Sequence, residues 1–384
     1  MESKIFDKRG NGNIVIIRGF FPNPRCEKRI DALKEVANLH LIYWEKRINE
    51  KKVFQREGVK TKRLFIAADP TNPIKRLSKY IKVYRELYRS LKGINANILY
   101  PEALDMLLIS SIYKHCHKQI KIVYEIADLH TLVIDKQKGV LKKAIQAILK
   151  AIEKKCVKSV DLLVLTSEGY YNFYYKNLIK EDKVLVIPNV PNPKYFEQYK
   201  IKEYLGKKTI GFIGSIRYRE ERDLLLNAAR ACGWNVLLAG SDLLGDTEKL
   251  AEGIDYIEYS GRYNYDTEVA DLYGKCNAIF SVYNAQGENE KIALPNKLYE
   301  SIFCELPILV SQGTYVGELV NSWGVGIAVD NRDEKSLENA LKELEFDSYY
   351  KKIQENCRNK KQYILDSFNS NELEEKIKIL LAGV

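Results

Sequence analysis

Apolar residues along this chain gather in short strand-length runs, separated by stretches in which they recur at helical spacing. The first run, Ile14-Val15-Ile16-Ile17, is apolar on both strand faces and ends in Arg18-Gly19-Phe20-Phe21-Pro22, which predicts a buried parallel strand leaving into a loop. A helix over Arg25 to Ala37 and a second strand over Leu39 to Trp44 follow. Further strands are predicted at Arg63 to Ala67, Ala96 to Tyr100, Ile120 to Ile126 and Asp161 to Thr166, with helices at Pro73 to Leu91, Ala103 to His117 and Gly139 to Val160 between them. Strand and helix alternate throughout, which argues for an α/β fold with a doubly wound parallel sheet covered on both faces.

After Val184 to Ile187 the run Pro188-Asn189-Val190-Pro191-Asn192-Pro193 suits neither helix nor strand, so the domain boundary is placed there, giving domains 1–190 and 191–384. The pattern then restarts. Strands are predicted at Thr209 to Ile213, Asn235 to Ala239, Ile254 to Tyr259, Ala278 to Val282, Ile308 to Ser311 and Ile327 to Val329. Helices are predicted at Glu221 to Cys232, Val269 to Lys275, Asn296 to Cys304 and Gly317 to Trp323, and the Lys/Glu-rich remainder reads as helix. At 384 residues the chain is too long for one core and suits two such units.

Charge separates the halves. Residues 1–190 carry 37 Lys and Arg against 20 Asp and Glu, a net +17, whereas residues 191–384 carry 24 against 31, a net −7. The basic half, with clusters at Lys51-Lys52, Lys60 to Arg63 and Lys75 to Arg89, implies a polyanion or an anionic membrane surface as partner. No zinc-finger, helix-turn-helix or RNP-like pattern supports nucleic acid. No apolar run reaches membrane-spanning length and the polar start MESKIFDKRG lacks the apolar centre of a signal peptide, so a cytoplasmic protein, peripheral on the inner membrane face, is expected. The seven cysteines form no C-x-x-C pair and read as reduced residues. His115-Cys116-His117 reads as part of a basic helix face, because alternate residues on a helix diverge.

Ligands of doubly wound sheets bind beyond the carboxyl ends of the strands, so the loops there are searched first. In YNAQGENEKIALPNKLYE, residues 283–300, a glycine-containing loop precedes a helix opening at Pro295. The first turn, with Asn296, Lys297 and Leu298, has backbone amides without intrahelical partners, and Lys297 and Glu300 share a face. One cation and one carboxylate there suit a phosphate and a sugar hydroxyl of one ligand, as in a nucleotide sugar; an amphipathic helix with a solvated Lys/Glu pair fits the same residues. In Gly211-Phe212-Ile213-Gly214-Ser215-Ile216-Arg217-Tyr218-Arg219 the glycines let amides approach a diphosphate and Arg217 or Arg219 supplies a bidentate contact, or the arginines are solvated loop charges. The spacing is not G-x-G-x-x-G, which disfavours a nicotinamide enzyme. Strand 120–126 delivers Glu125, Asp128 and His130 into one loop, where a base for a sugar hydroxyl is needed; alternatively Asp128 caps a helix and Glu125 pairs with a lysine. There is no D-x-D, so amides and Arg or Lys must neutralise a diphosphate, and no metal or cofactor is expected, the nucleotide sugar being a substrate.

Taken together, VDLLVLTSEGY (160–170), KVLVIPNVPN (183–192), IGFIGSIRYRE (210–220), VLLAGS (236–241) and LPNKLYESIFCELPILVS (294–311) resemble, in order and spacing, the GT-B fold glycosyltransferases of the group-1 (family four) type of capsule, lipopolysaccharide and exopolysaccharide pathways. The resemblance covers nearly the whole chain. It implies two Rossmann-like domains facing across a cleft, with Glu300 on the donor ribose and with Lys297, the amides before it, and Arg217 or Arg219 on the diphosphate. Three departures stand out. Ile292 occupies the position eight before Glu300 where many members have an acid, with Glu288 and Glu290 close by; Glu220 stands where a lysine is common; and the first loop offers only Gly19 where paired glycines are usual.

The expected function is therefore transfer of a sugar from a UDP- or GDP-sugar, held by the C-terminal domain, to a glycan or lipid-linked acceptor held by the basic N-terminal domain. Asp128 is the expected base if the reaction inverts, with Glu125 second. The rivals are a nucleotide-sugar epimerase of the same architecture, a non-catalytic scaffold subunit, for which Ile292 speaks, and a nucleic-acid binder.

Overall fold

Two parallel sheets account for every strand among the described residues, which are 12–46, 53–69, 73–200, 208–284, 286–369 and 371–383 of the computed structural model. Met1 to Asn11 and the Lys51-Lys52 pair lie outside them, as do the side chains of Lys75 and Arg76. The first sheet comprises β1 (Asn13–Arg18), β2 (Asn38–Glu45), β3 (Val59–Phe65), β4 (Ile98–Pro101), β5 (Lys121–Ile126), β6 (Leu162–Leu165) and β7 (Val184–Val186), in the order β3-β2-β1-β4-β5-β6-β7. The second comprises β8 (Thr209–Ile213), β9 (Asn235–Ala239), β10 (Ile257–Gly261), β11 (Ala278–Ser281), β12 (Ile308–Ser311) and β13 (Gly326–Val329), in the order β10-β9-β8-β11-β12-β13. The α/β, doubly wound architecture read from the sequence is the one observed.

Central strands carry the signal most clearly. Ile14, Val15 and Ile16 are all 0% exposed because helices cover both faces of the sheet, and burying each such side chain contributes about 1.5–3 kcal/mol. Edge strand β3 shows the opposite case: it starts at Val59, earlier than expected, because the Lys60-Thr61-Lys62-Arg63 segment needs only backbone pairing to β2 and leaves its lysines in solvent. Helix starts follow local chemistry. Asn23 accepts the Cys26 amide at 3.0 Å before the helix Pro24–Leu33, and Thr314 accepts the Gly317 amide before Tyr315–Trp323, which closes on left-handed Gly324.

The chain divides into two compact units, Met1–Ile187 with Ser370–Val384, and Pro188–Asn369. The Lys/Glu-rich end is three helices, Glu334–Glu343, Asp347–Phe368 and Glu372–Ala382. The first two pack in the second unit; Leu373 and Ile377 of the last join the core of the first, with Ile14, Ile16 and Ile30. The reason is amphipathic: those two residues are the buried positions of an otherwise charged helix.

Candidate functional site

In the second sheet the strand order reverses between β8 and β11, the kind of switch point beyond which ligands of doubly wound sheets bind. The β8 loop begins at Gly214, whose φ of +131° excludes most side chains, and its amide donates to the Ala239 carbonyl at 2.7 Å. Gly240, after β9, also has φ of +131°, and a Cβ there would lie 1.8 Å from the Gly214 carbonyl oxygen. Two glycine-opened loops are thus pressed backbone to backbone, and the Ile216 amide extends the contact to Ser241 at 2.9 Å.

Against this loop stands the start of the helix Asn296–Phe303. Pro295 occupies the cap position, one step outside the helix, and supplies no side-chain cap to the amides of the first turn. The ammonium of half-buried Lys297 lies 3.1 Å from where a Gly214 Cβ would be and 5.9 Å from the centre of the Phe212 ring. Among the described residues it has no hydrogen-bond or ion-pair partner. Burial pushes its pKa down, Glu300 opposes that shift, and Arg217 adds to it, so two cations face one loop. Arg217 is exposed and unpaired among the described residues, lying over the Tyr218 ring at 5.5 Å.

Glu300 is 4% exposed, and both its oxygens are met by tyrosines of the helix Tyr265–Gly274: Tyr265 donates to Oε1 and Tyr273 to Oε2, each at 2.5 Å. Burial and this carboxylate together push the Tyr263 hydroxyl up to about 12. A short helix, Glu288–Ile292, not expected from the sequence, crosses the β11 loop. It buries Ile292 at 7% exposure and leaves the Glu290 Oε2 buried with no hydrogen-bond partner; a Cβ at Gly287 would lie 1.9 Å from that atom. Ser311 fixes the base of the same loop, accepting the Tyr283 amide at 3.0 Å and donating to its carbonyl at 2.7 Å.

The structure brings Gly214, Arg217, Lys297 and Glu300 together and assigns three expected residues elsewhere. Arg219 opens the next helix and pairs with Asp246, which also takes buried Arg222 at 2.6 Å. The Leu298 side chain is 0% exposed in the core and its amide donates to Pro295 at 3.1 Å, so it packs. Asn296 is exposed and accepts from the Asn189 side chain at 3.2 Å.

In the first unit, Glu125 is not the free base expected of it. It is 1% exposed; Arg29 Nε lies 3.2 Å and Arg25 Nε 3.4 Å from Oε1, and Tyr100 donates to Oε2 at 2.7 Å. Burial raises its pKa, but Arg29, Arg25 and Tyr100 outweigh that and hold it below the ordinary carboxylate value. Its carboxylate ties β5 to the helix Pro24–Leu33, as Glu102 does for Arg18 at 2.9 Å and Arg25 at 3.3 Å. Asp128, just beyond β5, is exposed and accepts from Tyr170 at 3.3 Å; His130 is exposed two residues later. His117, at the C-cap of the helix Leu104–Cys116, stacks on Tyr113 at 4.1 Å.

Residues 193–363, which include the whole Gly214–Arg217–Lys297–Glu300 group, match the family model described as glycosyl transferases group 1. The match spans a little under half of the chain and lies within the second unit. A curated relative, the succinoglycan biosynthesis protein ExoL of Rhizobium meliloti (strain 1021), is 24% identical over 237 residues; the match spans 58% of this chain and little more than half, 57%, of that protein. Sucrose-phosphate synthase (tll1590) from Thermosynechococcus elongatus superposes with a TM-score of 0.71 at 14% identity, covering 96% of this chain and 99% of that one. Anabaena Alr3699/HepE in complex with UDP superposes with a TM-score of 0.67 at 13% identity, covering 97% and 100%. The fold shared with these structures is GT-B. Sequence pattern alone did not assign roles to Gly240, Tyr265 and Tyr273, since a chain with 26 tyrosines marks none of them.

Proposed function

We propose that the protein transfers a hexosyl group from a nucleoside-diphosphate sugar to a glycan or lipid-linked glycan during surface polysaccharide synthesis. The observation that carries this reading is the pair of cations, Lys297 and Arg217, that have no ion-pair partner among the described residues and stand at a glycine-opened loop and a helix start. Such a group is built to neutralise charge that grows on a leaving diphosphate while the sugar acquires oxocarbenium character. Glu300, oriented by Tyr265 and Tyr273, accepts hydroxyl hydrogens of the ribose. Half-buried Glu290, whose Oε2 has no donor among the described residues, serves the transferred sugar's hydroxyls. Fixed positive charge and main-chain amides make the transfer metal-independent, so a chelator leaves the rate unchanged. Asp128, with His130 beside it, is the base in an inverting reaction and orients the acceptor in a retaining one.

UDP in the complex of Alr3699/HepE makes a UDP-sugar the first donor to try, and the ExoL match favours a polysaccharide acceptor. The proposed setting is the cytoplasm. Among the described residues no helix is long and apolar enough to cross a membrane. A thermal-shift panel of UDP-, GDP-, ADP- and CMP-sugars tests the reading, since only a ligand of the native state raises the melting temperature. One responding base is expected, and no response to any of them overturns the proposal. Conversion of the donor without acceptor would instead favour an epimerase.

A further inference from the structure

The helix Val140–Val157 is apolar on two sides, and only one of them is covered. Its inner side, with Glu153, Cys156 and Val157 buried, packs on the first unit, where Glu153 accepts hydrogen bonds from Tyr174 at 2.8 Å and Tyr175 at 2.6 Å. On the outer side Val140 is 86%, Leu141 73% and Ile148 59% exposed, and exposed Ala144, Ala147 and Ala151 complete a stripe at helical spacing. Exposed Lys143, Lys150 and Lys154 run along one border of that stripe, and Lys142, Lys155 and Lys158 are exposed on the same segment. Its one carboxylate is the buried Glu153, so nothing acidic meets solvent along its length.

We infer that this helix docks in the plane of an anionic lipid bilayer. Water gains nothing from an aliphatic stripe left open on a surface helix, and a stripe bordered by lysines suits the boundary between acyl chains and acidic headgroups. At 18 residues the helix lies about 27 Å along such a surface, a footprint matched to shallow insertion rather than spanning. Charge selects the occupant. A second copy of this face would bring lysine against lysine, whereas anionic headgroups neutralise every cation on it. Neighbouring elements extend the charge. The helix Leu104–Cys116 meets the turn that follows this one, where Ser111 and Ser159 hydrogen-bond at 3.0 Å, and beyond it the helix Pro73–Lys92, in contact through Tyr88 and Tyr113, exposes Lys79, Lys82, Arg85 and Lys92.

Co-sedimentation of the full chain with phosphatidylcholine vesicles, with and without phosphatidylglycerol, tests the inference. The wild type is expected to partition only onto the anionic vesicles, and high salt releases it. Leu141→Ser with Ile148→Ser, and separately Lys143→Gln with Lys150→Gln and Lys154→Gln, should each weaken partition by about tenfold or more at unchanged melting temperature, since all five side chains are exposed. Absence of wild-type binding, or wild-type binding by both variants, overturns it. So does light scattering that finds a wild-type dimer which the Leu141/Ile148 variant makes monomeric, because a second copy would then be the occupant.

Discussion

Lys297 is held in a state that suits a ligand better than it suits the empty fold. Burial and Arg217 lower its pKa from the ordinary 10.5, with Glu300 opposing. Between the lowered value and 10.5 the unfolded chain binds more protons than the folded one, so this group's contribution to stability rises with pH across that window and is unfavourable below it. Lys297→Met should therefore melt at the wild-type temperature or higher while losing the thermal shift given by the donor nucleotide, an exchange of function for stability measurable in one melting series. A bound diphosphate favours the ammonium, so donor affinity should fall as pH rises through the lowered Lys297 pKa and stay flat there in Lys297→Arg, as titration calorimetry would register. Glu300 differs in kind because it is already satisfied. Glu300→Ala leaves the Tyr265 and Tyr273 hydroxyls without an acceptor, at about 1–3 kcal/mol each, so it should both destabilise the second unit and abolish donor binding. Glu300→Gln keeps an acceptor and the shape, and should melt closer to wild type while still losing most donor affinity; an unchanged nucleotide shift in that variant would remove Glu300 from the ribose.

Among the elements, the paired loops after β8 and β9 set the geometry on which those side chains depend. Gly240→Ala puts a methyl carbon where the Gly214 carbonyl oxygen stands and asks a non-glycine residue to hold φ of +131°. A loss of about 2 kcal/mol or more is expected, read by chemical denaturation, together with loss of the nucleotide response, because the Gly214 loop must move to admit the methyl. Gly214→Ala meets the flexible end of Lys297 instead and so displaces the cation first. The sequence flagged Gly214 through its position after an apolar run. It could not flag the pairing with Gly240, since two loops 26 residues apart touch only when β8 and β9 lie side by side. In the same way Glu125 and Arg29 sit 96 positions apart, and nothing local distinguishes a base from the carboxylate that anchors a helix to a strand.

For the whole molecule, the return of the helix Glu372–Ala382 to the first unit ties the two ends of the described chain into one core. Truncation after Asn369 should therefore expose Ile14, Ile16 and Ile30 and lower the stability of the first unit, while the second keeps its own core; limited proteolysis that cut both units equally fast would count against this division. Alternating runs and turn segments were enough to determine that this protein is two successive doubly wound α/β units, because the period of apolar residues is a local property that burial on both sheet faces imposes directly on each segment. Local sequence also determined the helix that begins just after Pro295 and the shared face of Lys297 and Glu300. Tertiary structure decided which charges are engaged and which are open: Arg219 is taken by Asp246 and Glu125 by two arginines, whereas Lys297 and Arg217 are left facing a loop. The physical reason is that a charge's role is set by what lies within a few ångströms of it, and those neighbours come from strands and helices far apart in the chain.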